Sequence, residues 1–103
     1  MEHGEGFDRD LSKLAEANNT ATSQKRQLEL AEDKSEVVRY VLAGATENIE
    51  VQKKLAADKS KFVLSALAWN TKEGSVQELL RRRPIQGIRQ VLERRKEVSK
   101  HVG

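Results

Sequence analysis

The amino-acid sequence predicts an all-α fold: a short α-solenoid of about six helices, closed at each end by a capping helix. The first observation behind this is a segment written twice in succession, LAEDKSEVVRYVLAGATENIEVQKK (30–54) and then LAADKSKFVLSALAWNTKEGSVQEL (55–79), with Leu80 opening a third copy. At an offset of 25 residues eleven positions are identical. They are Leu30/Leu55, Ala31/Ala56, Asp33/Asp58, Lys34/Lys59, Ser35/Ser60, Val38/Val63, Leu42/Leu67, Ala43/Ala68, Thr46/Thr71, Val51/Val76 and Gln52/Gln77. The second observation is that most of these matches are small apolar residues at helical spacing or helix-capping residues, so the repeat is a packing unit and not a catalytic constellation. The third is length. Helices of about eight to eleven residues are marginal alone in water and form only when neighbours stack on them, and a period between 20 and 50 residues is the signature of such stacking.

The segment 1–6 carries Gly4 and Gly6 and reads as a flexible leader ahead of a single domain at 7–98, with 99–103 as a flexible tail. A first helix starts near Asp8 or Asp10 and runs to about Ala17, with Phe7, Leu11, Leu14 and Ala15 on one face. Asn18, Asn19 and Thr20 end it. Thr22 or Ser23 starts a second helix through Ala31, with Leu28 and Leu30 or Ala31 turned inward. This block, about 11–29, is a degenerate preceding repeat that fits the 25-residue frame once one residue is inserted.

In the first clear repeat Ser35 is an N-cap, Val37, Val38, Val41 and Leu42 form an apolar stripe, and Gly44 suits a C′ position with positive φ. Thr46 then caps a helix packed through Ile49, Val51 and Leu55. In the second repeat Ser60 is the cap, Phe62, Val63, Ala66 and Leu67 are the stripe, and Thr71 precedes a last segment weakened by Gly74 and Ser75. Pro84 suits the first turn of a final basic capping helix, 85–98, with Ile85, Ile88, Val91, Leu92 and Val98 inward and Gly87 in its interior.

Composition narrows the function classes. With 103 residues, 37% apolar and 34% charged, the chain is one highly charged, helix-rich domain. It has no cysteine, which removes disulfides, thiolate nucleophiles, zinc-thiolate sites and iron–sulfur ligation. No apolar run reaches membrane-spanning length and the N-terminus lacks the pattern of a signal peptide, so a cytoplasmic location without membrane association is expected. The net charge of +3 is unevenly spread. From residue 79 on there are eight Lys/Arg against two Asp/Glu.

The pattern LAxDKSxxVxxxLA, followed by a Thr-headed helix ending in Leu-Ala or Leu-Leu, resembles the variant leucine-rich repeat and, more distantly, HEAT and armadillo repeats. The resemblance covers roughly 28–83. It implies paired short helices stacked into a right-handed superhelix and an interaction scaffold. The prolines usual before the second helix of such repeats are missing, as is the cysteine cluster with which some members hold a metal cluster, so no cofactor is implied.

Two groups of residues carry the functional expectation. Arg39, Tyr40, Leu64 and Trp69 are surface anchors for a protein partner, since aromatic and arginine side chains dominate interface energetics. Arg81, Arg82, Arg83, Arg89, Arg94, Arg95 and Lys96 could grip phosphate oxygens of a nucleic acid or other polyanion, or could belong to a solvated capping helix. His3 and His101 stand in opposite terminal segments without a spaced partner, the acidic residues have no calcium-loop spacing, and Ser35 and Ser60 are explained as caps. The chain therefore reads as a non-enzymatic interaction module for a protein partner. A nucleic-acid-binding accessory protein is the first alternative, and a self-associating module that buries the open ends of the stack in a homodimer is the second.

Overall fold

The computed structural model describes residues 11–85 and 87–94, and among them there are seven helices and no strand. They are α1 (11–17), α2 (Gln24–Leu30), α3 (Glu36–Ala45), α4 (Ile49–Leu55), α5 (Lys61–Asn70), α6 (Gly74–Arg81) and α7 (88–94). None of the described helices is long and apolar enough to cross a membrane.

The serine caps fall where the repeat places them. The hydroxyl of Ser35 accepts from the Val38 amide, and that of Ser60 from the amides of Phe62 and Val63. Each supplies a partner to first-turn donors that the helix itself cannot satisfy. Ahead of each cap an aspartate fixes the turn: Asp33 Oδ1 accepts from the Ser35 amide at 2.9 Å and Asp58 Oδ1 from the Ser60 amide at 2.8 Å.

Thr46 and Thr71 act differently from the expectation. They do not cap the following helices. They end α3 and α5, and their hydroxyls accept from the amides of Asn48 and Glu73 two residues on. Asn48 is the side-chain cap of α4, whereas α6 starts at Glu73 with no side-chain cap bond. Gly44 lies inside α3 with an ordinary helical φ, and among the described residues the glycine with positive φ is Gly87, at 97°. That angle keeps Gly87 out of the last helix, which starts at residue 88 and not at 85, with Pro84 in the preceding loop.

One core runs through the molecule. It is built from Ala17, Leu30, Val38, Leu42, Val51, Leu55, Val63, Leu64, Leu67, Val76, Leu80, Ile88 and Leu92, with small alanines between them. Each fully buried Leu or Val contributes roughly 1.5–3 kcal/mol relative to exposure. α3 packs chiefly on α5, while α2 contacts α4 and α4 contacts α6. α3 and α5 run in the same direction. At their starts Ser60 Oγ donates to Glu36, and at their ends Asn70 Nδ2 donates to the carbonyls of Ala43 and Thr46.

A buried polar ladder repeats at the same period. Gln27 accepts from the Thr46 hydroxyl, and Gln52 accepts from the Thr71 hydroxyl at 2.7 Å. The amide nitrogens of Gln27, Gln52 and Gln77 donate to the carbonyls of Thr22, Thr46 and Thr71. Among the described residues no buried side-chain polar atom is left without a partner. Satisfied in this way, a polar rung holds register between helices that apolar contact alone would let slide.

Candidate interaction surface

Each of α3 and α5 has two apolar faces. The inner faces bury Val38, Leu42 and Ala43, and Val63, Leu64, Leu67 and Ala68. The outer faces present Val37, Tyr40, Val41 and Gly44 on α3 and, 25 residues later, Phe62, Ser65, Ala66 and Trp69 on α5. Val37, Tyr40, Phe62 and Trp69 are 56, 49, 55 and 52% exposed, about half of each large side chain facing water. Both sets follow the i, i+3, i+4, i+7 spacing that puts four side chains on one side of a helix.

α1 adds a third row. Counting the one-residue insertion, Leu11, Leu14, Ala15 and Asn18 correspond to Val37, Tyr40, Val41 and Gly44. An independent ion pair supports that alignment. Lys13 reaches Asp33 at 2.9 Å as Arg39 reaches Asp58 at 2.8 Å, so Lys13 matches Arg39 at an offset of 26. None of these twelve outer positions is charged, in a chain that is 34% charged. The exposed positions of α2, α4 and the α6 end are the opposite, with Lys25, Glu29, Glu50, Lys53, Glu78 and Arg82. The two sides of the described helices thus differ in kind, one carrying charge and the other a band of twelve uncharged positions.

A groove crosses this face, lined by Asn18, Tyr40, Val41, Gly44, Ala66, Trp69 and Asn70. Its floor is made of small residues and its walls are the two aromatics. Tyr40 and Trp69, which are not equivalent positions in the repeat, thus line one groove. At the start of α5 the Lys61 ammonium lies 5.4 Å from the centre of the Phe62 ring, a cation–π contact at the rim.

Arg39 and Leu64 do not stand on this surface. They occupy equivalent positions in the two repeats, and both point inward. Leu64 is fully buried. The Arg39 side chain bridges repeats, with Nε on Asp58 and Nη1 donating to the carbonyls of Asp33 and Lys34. The sequence signal for this is the helical phase, since at about 100° per residue position 39 falls between buried Leu42 and Ala43 and opposite Val37 and Val41. The stripe residues Val37 and Phe62, expected inside, belong to the outer face, as do Leu11 and Ala15 on α1. Phe7, Val98, the leader 1–6 and the tail 99–103 lie outside the described residues.

The basic cluster is divided. Arg83 donates to the carbonyls of Ala56 and Asp58, holding the α4–α5 turn much as Arg39 holds the preceding one. Arg81 and Arg82 both approach Glu78, at 3.9 and 3.5 Å. Arg89 and Arg94 are exposed, and Arg95 and Lys96 lie outside the described residues. No group of three or more His, Cys, Asp or Glu among the described residues could hold a metal ion. No protein-family model matches the chain, and no curated protein and no solved structure matches it either.

Proposed function

We propose that this chain is a non-enzymatic helical-repeat module that binds a protein partner through the outer face of α1, α3 and α5. The array reading, a short solenoid related to variant leucine-rich or HEAT-like repeats, is supported by the 25-residue ladder of Gln and Thr and by the contacts of α2 with α4 and of α4 with α6. The single observation that carries the binding reading is the charge-free outer face with Val37, Tyr40, Phe62 and Trp69 half exposed on it. Aromatic side chains in the middle of such a face are the residues that most often anchor protein contacts.

The polyanion reading draws less support. Among the described residues of the cluster Arg83 serves backbone carbonyls and Arg81 and Arg82 share Glu78, while Arg82, Arg89 and Arg94 are exposed. A photo-crosslinking amino acid at Tyr40, with Glu50 on the charged side as control, tests the proposal in cell extract. Adducts at position 40 and none at position 50 support it. Labelling at neither position, or equally at both, overturns it.

A further inference from the structure

We infer that the occupant of the outer face is a second copy of this chain, paired about a two-fold axis that runs between α3 and α5 and along them. The inference rests on the binding reading above and names its partner.

The repeat itself supplies the complementarity. α3 and α5 are parallel and level, because Glu36 meets Ser60 at one end and Asn70 meets the Ala43 and Thr46 carbonyls at the other. A two-fold axis parallel to the helices and midway between them lays α3 of each copy over α5 of the other at the same height. Residues 25 apart in sequence then face each other across the interface. Those pairs are Gly44 with Trp69, Tyr40 with Ser65, Val37 with Phe62 and Val41 with Ala66. In each pair the larger member meets a smaller one, most sharply in a tryptophan over a glycine. Alternation of large and small across facing positions is what lets two layers interdigitate.

Two further observations fit this occupant. A two-fold interface sets the patch against a copy of itself, so a patch of one sign would repel itself, and none of the eight α3 and α5 positions on it is charged, the Lys61 ammonium lying at its rim over Phe62. Gly44 sits inside a helix although no described residue lies within 4 Å of where its Cβ would be. Nothing among the described residues calls for glycine there, and a tryptophan arriving from a second copy does.

The face is small. Helices of ten residues are about 15 Å long and lie about 9 Å apart, so the α3–α5 contact covers less than a standard dimer interface and calls for a measurement that reaches weak association. The symmetry makes a demand that other arrangements do not. Gly44→Trp sets tryptophan against tryptophan, Trp69→Gly sets glycine against glycine, and the double variant restores both large–small pairs.

The test is light scattering and sedimentation of the full chain from about 1 to 500 μM, with circular dichroism of every variant to confirm folding. The expected result is a monomer–dimer equilibrium weakened about tenfold or more by each single substitution and recovered in the double variant. A chain that stays monomeric throughout, or a dimer that neither single variant weakens, overturns the inference. Crosslinking from Tyr40 separates the two levels. An adduct of twice the chain mass supports the homodimer, an adduct with a different protein removes the homodimer and keeps the binding reading, and no adduct removes both.

Discussion

Arg39 Nε lies 2.8 Å from Asp58 Oδ2, and both side chains are about nine-tenths buried, 10 and 7% exposed. The pair ties the start of one repeat to the start of the next. A buried ion pair that loses one partner leaves an uncompensated charge and costs about 3–5 kcal/mol. Arg39→Leu, which places the residue of the equivalent position 64, is therefore expected to destabilise the chain by about that amount. Adding Asp58→Asn removes the stranded charge while leaving an oxygen for the Ser60 amide, so the double variant recovers part of the loss. Urea unfolding midpoints of the four proteins check this, and a double variant no more stable than Arg39→Leu alone would show that the charge was not the cause.

The glutamine ladder makes a separate prediction. Gln52 is 3% exposed, donates to the Thr46 carbonyl at 2.8 Å and accepts from the Thr71 hydroxyl. Gln52→Leu keeps the volume and removes both bonds; the Thr46 carbonyl keeps the Asn70 amide, while the Thr71 hydroxyl loses its glutamine acceptor. A loss of about 1–3 kcal/mol is expected. Thr71→Val added to it costs less than the same change in the wild type, because the rung is already broken. A double-mutant cycle with no coupling between the two positions would contradict the ladder.

How much of this was legible in the sequence follows from particular residues. Ser35, Ser60 and the leucines of the repeat announce themselves, because a serine before an apolar run has one good local use and a leucine every helical turn has one good place to go. The outer face was harder to see. α5 reads KFVLSALAWN, apolar nearly all the way round, and such a helix has no polar side to set its phase. Phe62 for that reason reads as one stripe with Val63, and Val37 reads as one with Val38 because the repeat puts the two helices in the same register. Gln52 and Thr71 were visible as identical repeat positions, but their partnership spans 19 residues and crosses between helices, which no local pattern encodes. Thr46 reads as a helix cap because threonine is favoured at that end, and the structure gives the role to Asn48 two residues later.

Acid should loosen the junction of α1 with the first clear repeat. Burial works to raise the Asp33 carboxyl, but the Ser35 amide and the Lys13 ammonium outweigh it, so the folded value lies below the ordinary 3.8. The Arg26 guanidinium, bonded to the Glu16 carboxylate, likewise holds that group below its ordinary 4.5. A depressed folded value means stability that is present above the unfolded value and is lost as pH falls through the folded one. From these two groups the melting temperature is expected to be flat from neutral pH to the ordinary carboxylate range and to drop below it. Asp33→Asn, whose oxygen can still take the Ser35 amide, lowers the neutral plateau and flattens the acid limb. Thermal melts from pH 7 to 2.5 read both, and an unchanged acid limb in Asp33→Asn would assign the acid sensitivity elsewhere.

Gly44→Ala separates what the folded monomer wants from what its outer face wants. Glycine within a helix costs roughly 0.5–1 kcal/mol relative to alanine. Gly44 has a helical φ and open space over its Cβ position, so the methyl group meets none of the described residues. Monomer stability, measured by urea unfolding at low micromolar concentration, should rise by about that amount. If Trp69 of a second copy seats over this glycine, the same methyl group crowds the contact, and the dimer dissociates more readily as the monomer becomes more stable. Trp69 is the chain's one tryptophan, so its emission at high and low protein concentration reports directly on whether the ring is covered. A variant that gains stability and associates as well as the wild type would place the partner's ring elsewhere on the face. Opposite changes in the two measurements would locate it over residue 44, because no effect confined to the monomer raises its stability while uncovering Trp69.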